Sequence, residues 1–374
     1  MGCSHDGRLP TLKKLTILLS LLGLAGVTAA MAWSGFGSVA HAVTRIGVLG
    51  FVLTLVAQLL VDTLLALAWN AAFPKMPYRH LLMARLVRDA AATCLPFSQL
   101  GGIVLGIRAT CLTPEHSTGG KGRTVVEWPE AACANVVDIT TEVLGQIVFV
   151  LLAVTLLVVG AGANPLVKPV VIGAFLLTIG VAGFIWTQQR GGAAVRKAVG
   201  FLGRHIAGQW QNSMMDGADT IQERMEEAWS KPRQIMASAS LHLLGWISSA
   251  GILWLTYRLL GAQLNFPDSI AIEGVTCGIM SASFLVPAGL GVQEGAYMTL
   301  GHAFGIDPSV SLGLSLLRRG RELCIGVPVL LLWQSFEMRA LRRRESATVA
   351  AAPDVPAPLQ ANEPANSVET TRVG

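Results

Sequence analysis

Apolar residues run in long unbroken stretches along this chain, and polar residues collect in a few places between them. Leu15 to Trp33 contains no charge, Ile46 to Trp69 contains only Asp62, and Leu166 to Trp186 contains only Lys168. Each stretch is long enough to cross about 30 Å of hydrocarbon at the ~1.5 Å helical rise per residue. Backbone amides in lipid must be satisfied within their own segment, so the pattern predicts membrane-spanning helices. Three further spans are predicted at about 131–160, 235–258 and 308–336. The apolar core of the first span exceeds the ~7–15 residues of a cleavable signal peptide, so it is expected to stay with the chain.

Two apolar stretches break this pattern. His80 to Ala109 is interrupted by Arg85, Arg88 and Asp89, then by Cys94-Leu-Pro96-Phe-Ser-Gln99-Leu-Gly101-Gly102. Ser269 to Phe304 is interrupted by Val286-Pro287-Ala-Gly289-Leu-Gly291-Val-Gln-Glu294-Gly. Proline removes a helix donor, and glycine lets the backbone turn, so Pro96, Gly101 and Gly102 mark one helix break and Pro287, Gly289 and Gly291 the other. The halves on either side are about ten to fifteen residues, which suits re-entrant hairpins better than full crossings. The predicted fold is all-α: a polytopic bundle of six full spans plus two re-entrant broken hairpins, with eight plain crossings as the alternative.

Charge placement orients the spans. Arg8, Lys13 and Lys14 precede the first, Lys75, Arg79, Arg85 and Arg88 follow the second, and Arg339 and Arg342 to Arg344 follow the last. By the positive-inside rule both termini face the cytoplasm, and Ser34 to Arg45 is a short outside loop. The first hairpin then enters from the inside and the second from the outside. Two halves running in opposite senses form an inverted repeat, a recurring transporter plan with its site at the repeat interface. Ala90 to Pro96 can be laid over Ser281 to Pro287.

The expected organisation is a cytoplasmic N-terminus over 1–14, a membrane domain over 15–338, and a basic, then disordered, cytoplasmic tail over 339–374. Within the membrane domain the first half covers 15–187 and the second 234–338. Between them, 188–233 holds seven Lys or Arg and five Asp or Glu, with Val195, Val199, Leu202, Ile206, Trp210, Met214, Met225 and Trp229 at helical spacing. This predicts an amphipathic helix on the membrane surface or on the bundle.

Composition narrows the function classes. Charged residues make up 14% of the chain and hydrophobic ones 52%, against roughly 25% charged in soluble domains. The net charge of +5 is spent on topology rather than on nucleic-acid binding. Six cysteines and seven histidines form no metal or redox spacing, so no cofactor or metal is expected. Without P-loop, GxSxG or HExxH motifs, the chain is not expected to be an enzyme.

Charges inside a bilayer usually face a bundle interior or a wet cavity and have partners. Asp138 and Glu142 share one helix face, as do Arg318 and Glu322, with Arg321 beside them. Arg88 precedes the first break and Gln99 lies within it. Arg108 follows the first break and Glu294 the second. These nine residues are the candidate substrate-binding set, with the acids of the third span and the arginines of the last expected to pair. Arginine forks suit phosphate, so the set fits a cavity that passes a polar or anionic headgroup while the tail stays in lipid.

The stretch Val286-Pro287-Ala-Gly-Leu-Gly-Val-Gln-Glu294-Gly, with Ser315-Leu-Leu-Arg318-Arg-Gly-Arg321-Glu-Leu downstream, resembles the membrane region of lysylphosphatidylglycerol synthases and their stand-alone relatives. Leu95-Pro96-Phe-Ser-Gln-Leu-Gly-Gly102 through Asp138-Ile-Thr-Thr-Glu142 resembles the first-half counterpart. The Asp138-x-x-x-Glu142 form is most similar to the hopanoid-biosynthesis-associated membrane proteins of bacteria. The resemblance implies a multi-pass protein of the bacterial inner membrane that translocates or handles a lipid: a hopanoid or related isoprenoid, with a phospholipid second. It implies lipid-synthesis enzymes as possible partners, and the alternative of a non-transporting scaffold for them. The soluble aminoacyl-transferase domain of the synthases has no counterpart in the sequence.

Overall fold

The computed structural model describes residues 36–95, 98–111, 126–160, 223–283 and 291–350, with single positions between 168 and 183. The first predicted span, most of the fourth, the polar loop after the first hairpin and most of the 188–233 segment lie outside the described residues. So do Pro96, Pro287 and Gly289. Apart from one isolated bridge at Val126, the described residues are helices and their connections.

Eight helices are labelled here. The first half contributes α1 (Phe36–Ala72), α2 (Tyr78–Cys94), α3 (Ser98–Thr110) and α4 (Trp128–Gly160). The second contributes α5 (Pro232–Leu259), α6 (Phe266–Ala282), α7 (Val292–Ala303) and α8 (Pro308–Ala350). Each half thus reads as a long helix, two short ones and another long helix. Among the described residues, Thr44–Ala72, Trp128–Val159 and Pro232–Leu259 are long and apolar enough to cross a membrane. The short arms are not. With 17 residues each, α2 and α6 reach about 26 Å, and α3 and α7, with 13 and 12, about 20 Å or less, short of the ~30 Å hydrocarbon core.

The long helices α4 and α5 lie at the centre. α4 packs on α3, α5 and α6, and α5 packs on α1, α4 and α6. Phe149 and Leu157 of α4, Tyr257 of α5, Ile272 of α6 and Tyr297 of α7 form the main core, with Leu314 and Leu317 of α8. A smaller core joins Trp69 of α1 to Leu81 and Ala84 of α2 and Ala131 and Ala134 of α4. Leu49 and Val159, 84% and 78% exposed, present apolar side chains outward, as lipid-facing helices must.

Residue 145 of α4 must be small. A Cβ on Gly145 would sit 2.8 Å from the Leu243 amide nitrogen and 2.9 Å from the Ala239 carbonyl oxygen of α5. Both are backbone atoms and cannot swing aside. Gly145→Ala is therefore expected to cost about 1–3 kcal/mol, as overpacking does. The unfolding midpoint in detergent checks this, and an unchanged midpoint would contradict the close helix crossing.

Several expectations are corrected. Ser34 to Arg45 is not simply a loop, because α1 begins at Phe36 and passes through Arg45 before a break at Gly47 (φ 74°). Only glycine adopts that backbone freely, so the interruption falls there. Arg85 and Arg88 are not loop cations: the loop ends at Pro77, and both arginines are buried in α2. Gly101 and Gly102 are not at the helix break but within α3. A Cβ on Gly102 would lie 3.0 Å from the Arg88 carbonyl oxygen, so this glycine lets the two hairpin arms approach each other. Gly291 does sit at its break, with φ 81° at the start of α7.

The described end of the amphipathic segment, 223–229, is helical, and Met225 and Ala228 are buried against Ala72, Cys133 and Val137. Here the segment lies on the bundle. At the α7–α8 turn Asp307 accepts the Ser309 amide at 2.8 Å, with Pro308 at the first helical position. That bond holds the exposed Asp307 carboxyl below the usual range. By internal contacts the chain divides into residues 1–331 and 332–374. In the second unit the helix runs to Ala350, past Ser346, where the sequence predicts a structureless tail.

Candidate functional site

Helical spacing gathers the first cluster. Arg85 and Arg88 are three apart on α2, and Asp138 and Glu142 four apart on α4, so each pair shares a face. Arg85 donates through both terminal nitrogens to Glu142, at 2.7 and 3.0 Å, and through Nε to Asp89 at 2.7 Å. Arg88 donates to Asp138 at 2.7 Å, and its guanidinium lies 5.0 Å over the Trp69 ring. Arg85 also reaches Asp138 at 3.3 Å. From α5, the Nε2 of His242 stands 3.2 Å from the other Asp138 oxygen, and Ser238 one turn earlier donates to Thr141. Asp138 and His242 are wholly buried. Three helices thus meet at one carboxylate, and Trp69 of α1 covers its Arg88 partner.

The second cluster also joins a first hairpin arm to the following long helix, with the signs exchanged. The acid, Glu273, is on the first hairpin arm α6, and the base, Arg318, is on the following long helix α8. Arg318 donates to Glu273 at 2.6 Å and to Glu322 at 3.0 Å. The Tyr297 hydroxyl donates to Glu273 at 2.6 Å and accepts from Arg318 at the same distance. Arg319 donates to Glu294 at 2.5 Å, and Glu294 also accepts the Gly291 amide at 2.8 Å, capping α7.

Between the clusters lies a cavity of about 750 Å³. Arg85, Arg88 and Glu142 face it from the first half, and Glu273, Arg318 and Arg321 from the second. Gln146 on α4 spans to Ser281 on α6 at 2.8 Å along its wall. Its volume falls in the ~300–1,000 Å³ range of small-ligand sites. Such a space holds a headgroup, while two acyl chains would have to stay outside. Among the described residues no His, Cys, Asp and Glu group is placed to hold a metal ion.

Of the residues singled out from sequence, the structure brings Arg88, Asp138 and Glu142 together in the first cluster and Arg318 and Glu322 in the second. Arg321 lines the cavity. Glu294 caps α7 and is not among the cavity-lining residues. Arg108 is exposed on α3, also outside the lining. Gln99 lies in α3, and its side chain is outside the described residues. The expected pairing of the third-span acids with the last-span arginines is not formed. Asp138 and Glu142 pair with Arg88 and Arg85 of α2, and Arg318 pairs with Glu273 of α6, so each hairpin supplies an opposite charge within its own half. Sequence reasoning passed over Arg85, His242, Glu273 and Tyr297 as site residues. Glu273 stands alone in an apolar run, the same signal that marked Asp138, and Arg85 lies one helical step from Arg88.

No curated protein and no solved structure matches the chain significantly. A family model does, and it takes in both hairpins and both clusters. Matched from residue 20 to residue 329 by the model of the lysylphosphatidylglycerol synthase transmembrane region, the chain belongs to that family and is a multi-pass membrane protein linked to lipid handling.

Proposed function

We propose that this protein translocates a lipid by passing its headgroup through the cavity between the two hairpins while the tail stays in the bilayer. The observation that carries this reading is the ionic cavity itself, lined by both halves inside an otherwise apolar bundle. Burying that many charges in a membrane is costly, and such residues mark substrate paths. The repeated order of long helix, two short helices and long helix supports an inverted repeat of six spans and two re-entrant hairpins, the plan in which the site lies between repeats. The chain acts without catalysis, in a bacterial inner membrane with both termini cytoplasmic. Resemblance to the hopanoid-associated branch makes a hopanoid or related isoprenoid lipid the first cargo to try and a phospholipid the second, with lipid-synthesis enzymes as partners.

The test uses purified protein in liposomes with a tail-labelled hopanoid or phospholipid, followed by bleaching from the outer face. Wild type is expected to expose inner-leaflet label. Arg88→Gln and Arg318→Gln are expected to slow this by about tenfold or more, equivalent to ~1.4 kcal/mol in the barrier. If wild type moves none of these lipids, the translocator reading falls and a scaffold for lipid-synthesis enzymes replaces it.

A further inference from the structure

Two ionisable side chains in the cavity wall lack an ion-pair partner. Arg85, Arg88, Arg318 and Arg319 are each joined to a carboxylate. Arg321 of α8 forms no ion pair or hydrogen bond among the described residues, and its Nε is enclosed without an acceptor. Asp62 of α1 is the converse: its one hydrogen bond is from the neutral Gln58 amide, at 2.9 Å. Both are more than nine-tenths buried, at 6% and 7% exposure, and both line the cavity. No ion pair joins them. A buried charge without a contact partner is costly, and here a group of each sign faces the same space with no ion pair of its own.

We propose that this cavity takes a zwitterionic headgroup, with an ammonium on Asp62 and an anionic phosphate on Arg321. The inference rests on the lipid-handling reading and names the class of headgroup, which is that of the second cargo, a phospholipid, rather than the first. An ammonium brings three donors to a carboxylate that otherwise has one, and phosphate matches the arginine fork. A headgroup carrying only an anion leaves Asp62 uncompensated, and one carrying only a cation leaves Arg321 so. The other arginines already hold carboxylates and have less to offer a phosphate.

Native mass spectrometry of the full chain in detergent tests this with four probes of known charge. They are dioctanoyl phosphatidylethanolamine, dioctanoyl phosphatidylglycerol, a dioctanoyl lipid with a primary ammonium and no phosphate, and water-soluble glycerophosphoethanolamine. Phosphatidylethanolamine is expected to bind about tenfold tighter than either singly charged lipid. Asp62→Asn should erase its advantage over phosphatidylglycerol, weakening phosphatidylethanolamine without weakening phosphatidylglycerol. Arg321→Gln should erase its advantage over the cationic lipid. Equal binding of phosphatidylethanolamine and phosphatidylglycerol by wild type overturns the zwitterion clasp, whatever the variants do, and leaves the lipid reading standing. Binding of no lipid overturns both. If glycerophosphoethanolamine binds as tightly as the lipid, the clasp stands but its occupant is a soluble zwitterion, and the lipid reading fails.

Discussion

Asp138→Ala is expected to destabilise the protein by about 3–5 kcal/mol, the cost of leaving buried charges without their partner. Asp138 is wholly buried and takes Arg88, Arg85 and His242 on its two oxygens. Its removal strands Arg88, whose remaining carboxylate neighbours, Glu142 at 3.4 Å and Asp89 at 3.6 Å, are poorly placed. Water cannot easily replace the lost partner at a site packed by α1, α2, α4 and α5. Asp138→Asn keeps the shape and one acceptor oxygen, so a smaller loss is expected. The double variant Asp138→Leu, Arg88→Met removes both charges and should be less damaging than the sum of its parts, because apolar replacement of a whole buried pair is often nearly neutral. Reversible unfolding in mixed detergent micelles reads all of these. An Asp138→Ala protein that unfolds with wild type would show that the cluster is solvated and that the buried convergence on Asp138 is wrong.

The long helices were legible because hydrophobic continuity and length are local properties. Three predicted spans recur in α1, α4 and α5 within a few residues of their expected limits, except that α1 begins ten residues early, before its break at Gly47. The division of both broken stretches was legible too: His80 to Ala109 separates into α2 and α3, and Ser269 to Phe304 into α6 and α7. What failed was partner choice. The sequence shows that Asp138 and Arg318 need opposite charges, but not that the nearest ones come from Arg88 and Glu273, 50 and 45 residues away. Arg85 was misread because positive charge near a span end is the usual mark of a cytoplasmic loop. Its burial comes from a tertiary fact, the folding of α2 back onto α4. Gly102 was misread for a related reason. A glycine that permits a turn and a glycine that permits close packing look the same in sequence, and only the Arg88 carbonyl 3.0 Å from its missing Cβ tells them apart.

Glu273→Ala should also destabilise the protein, by about 3 kcal/mol, at the low end for a broken buried pair. Glu273 is nearly as deeply buried as Asp138, but Arg318 has a second carboxylate in Glu322 and a side chain that is 28% exposed. Part of its charge is therefore screened when Glu273 is lost. The Tyr297 hydroxyl would lose its acceptor at the same time, and Tyr297→Phe should relieve some of that penalty in the Glu273→Ala background while costing about 1 kcal/mol alone. The exchange Glu273→Arg with Arg318→Glu separates stability from transport. It restores an ion pair between α6 and α8, so unfolding should recover by more than either single variant. It also moves the fixed positive charge from α8 to α6 beside the cavity, so lipid movement should stay low. If exchange restores lipid movement along with stability, the pair is a strut between the hairpin and the last helix, and the path for the headgroup lies elsewhere.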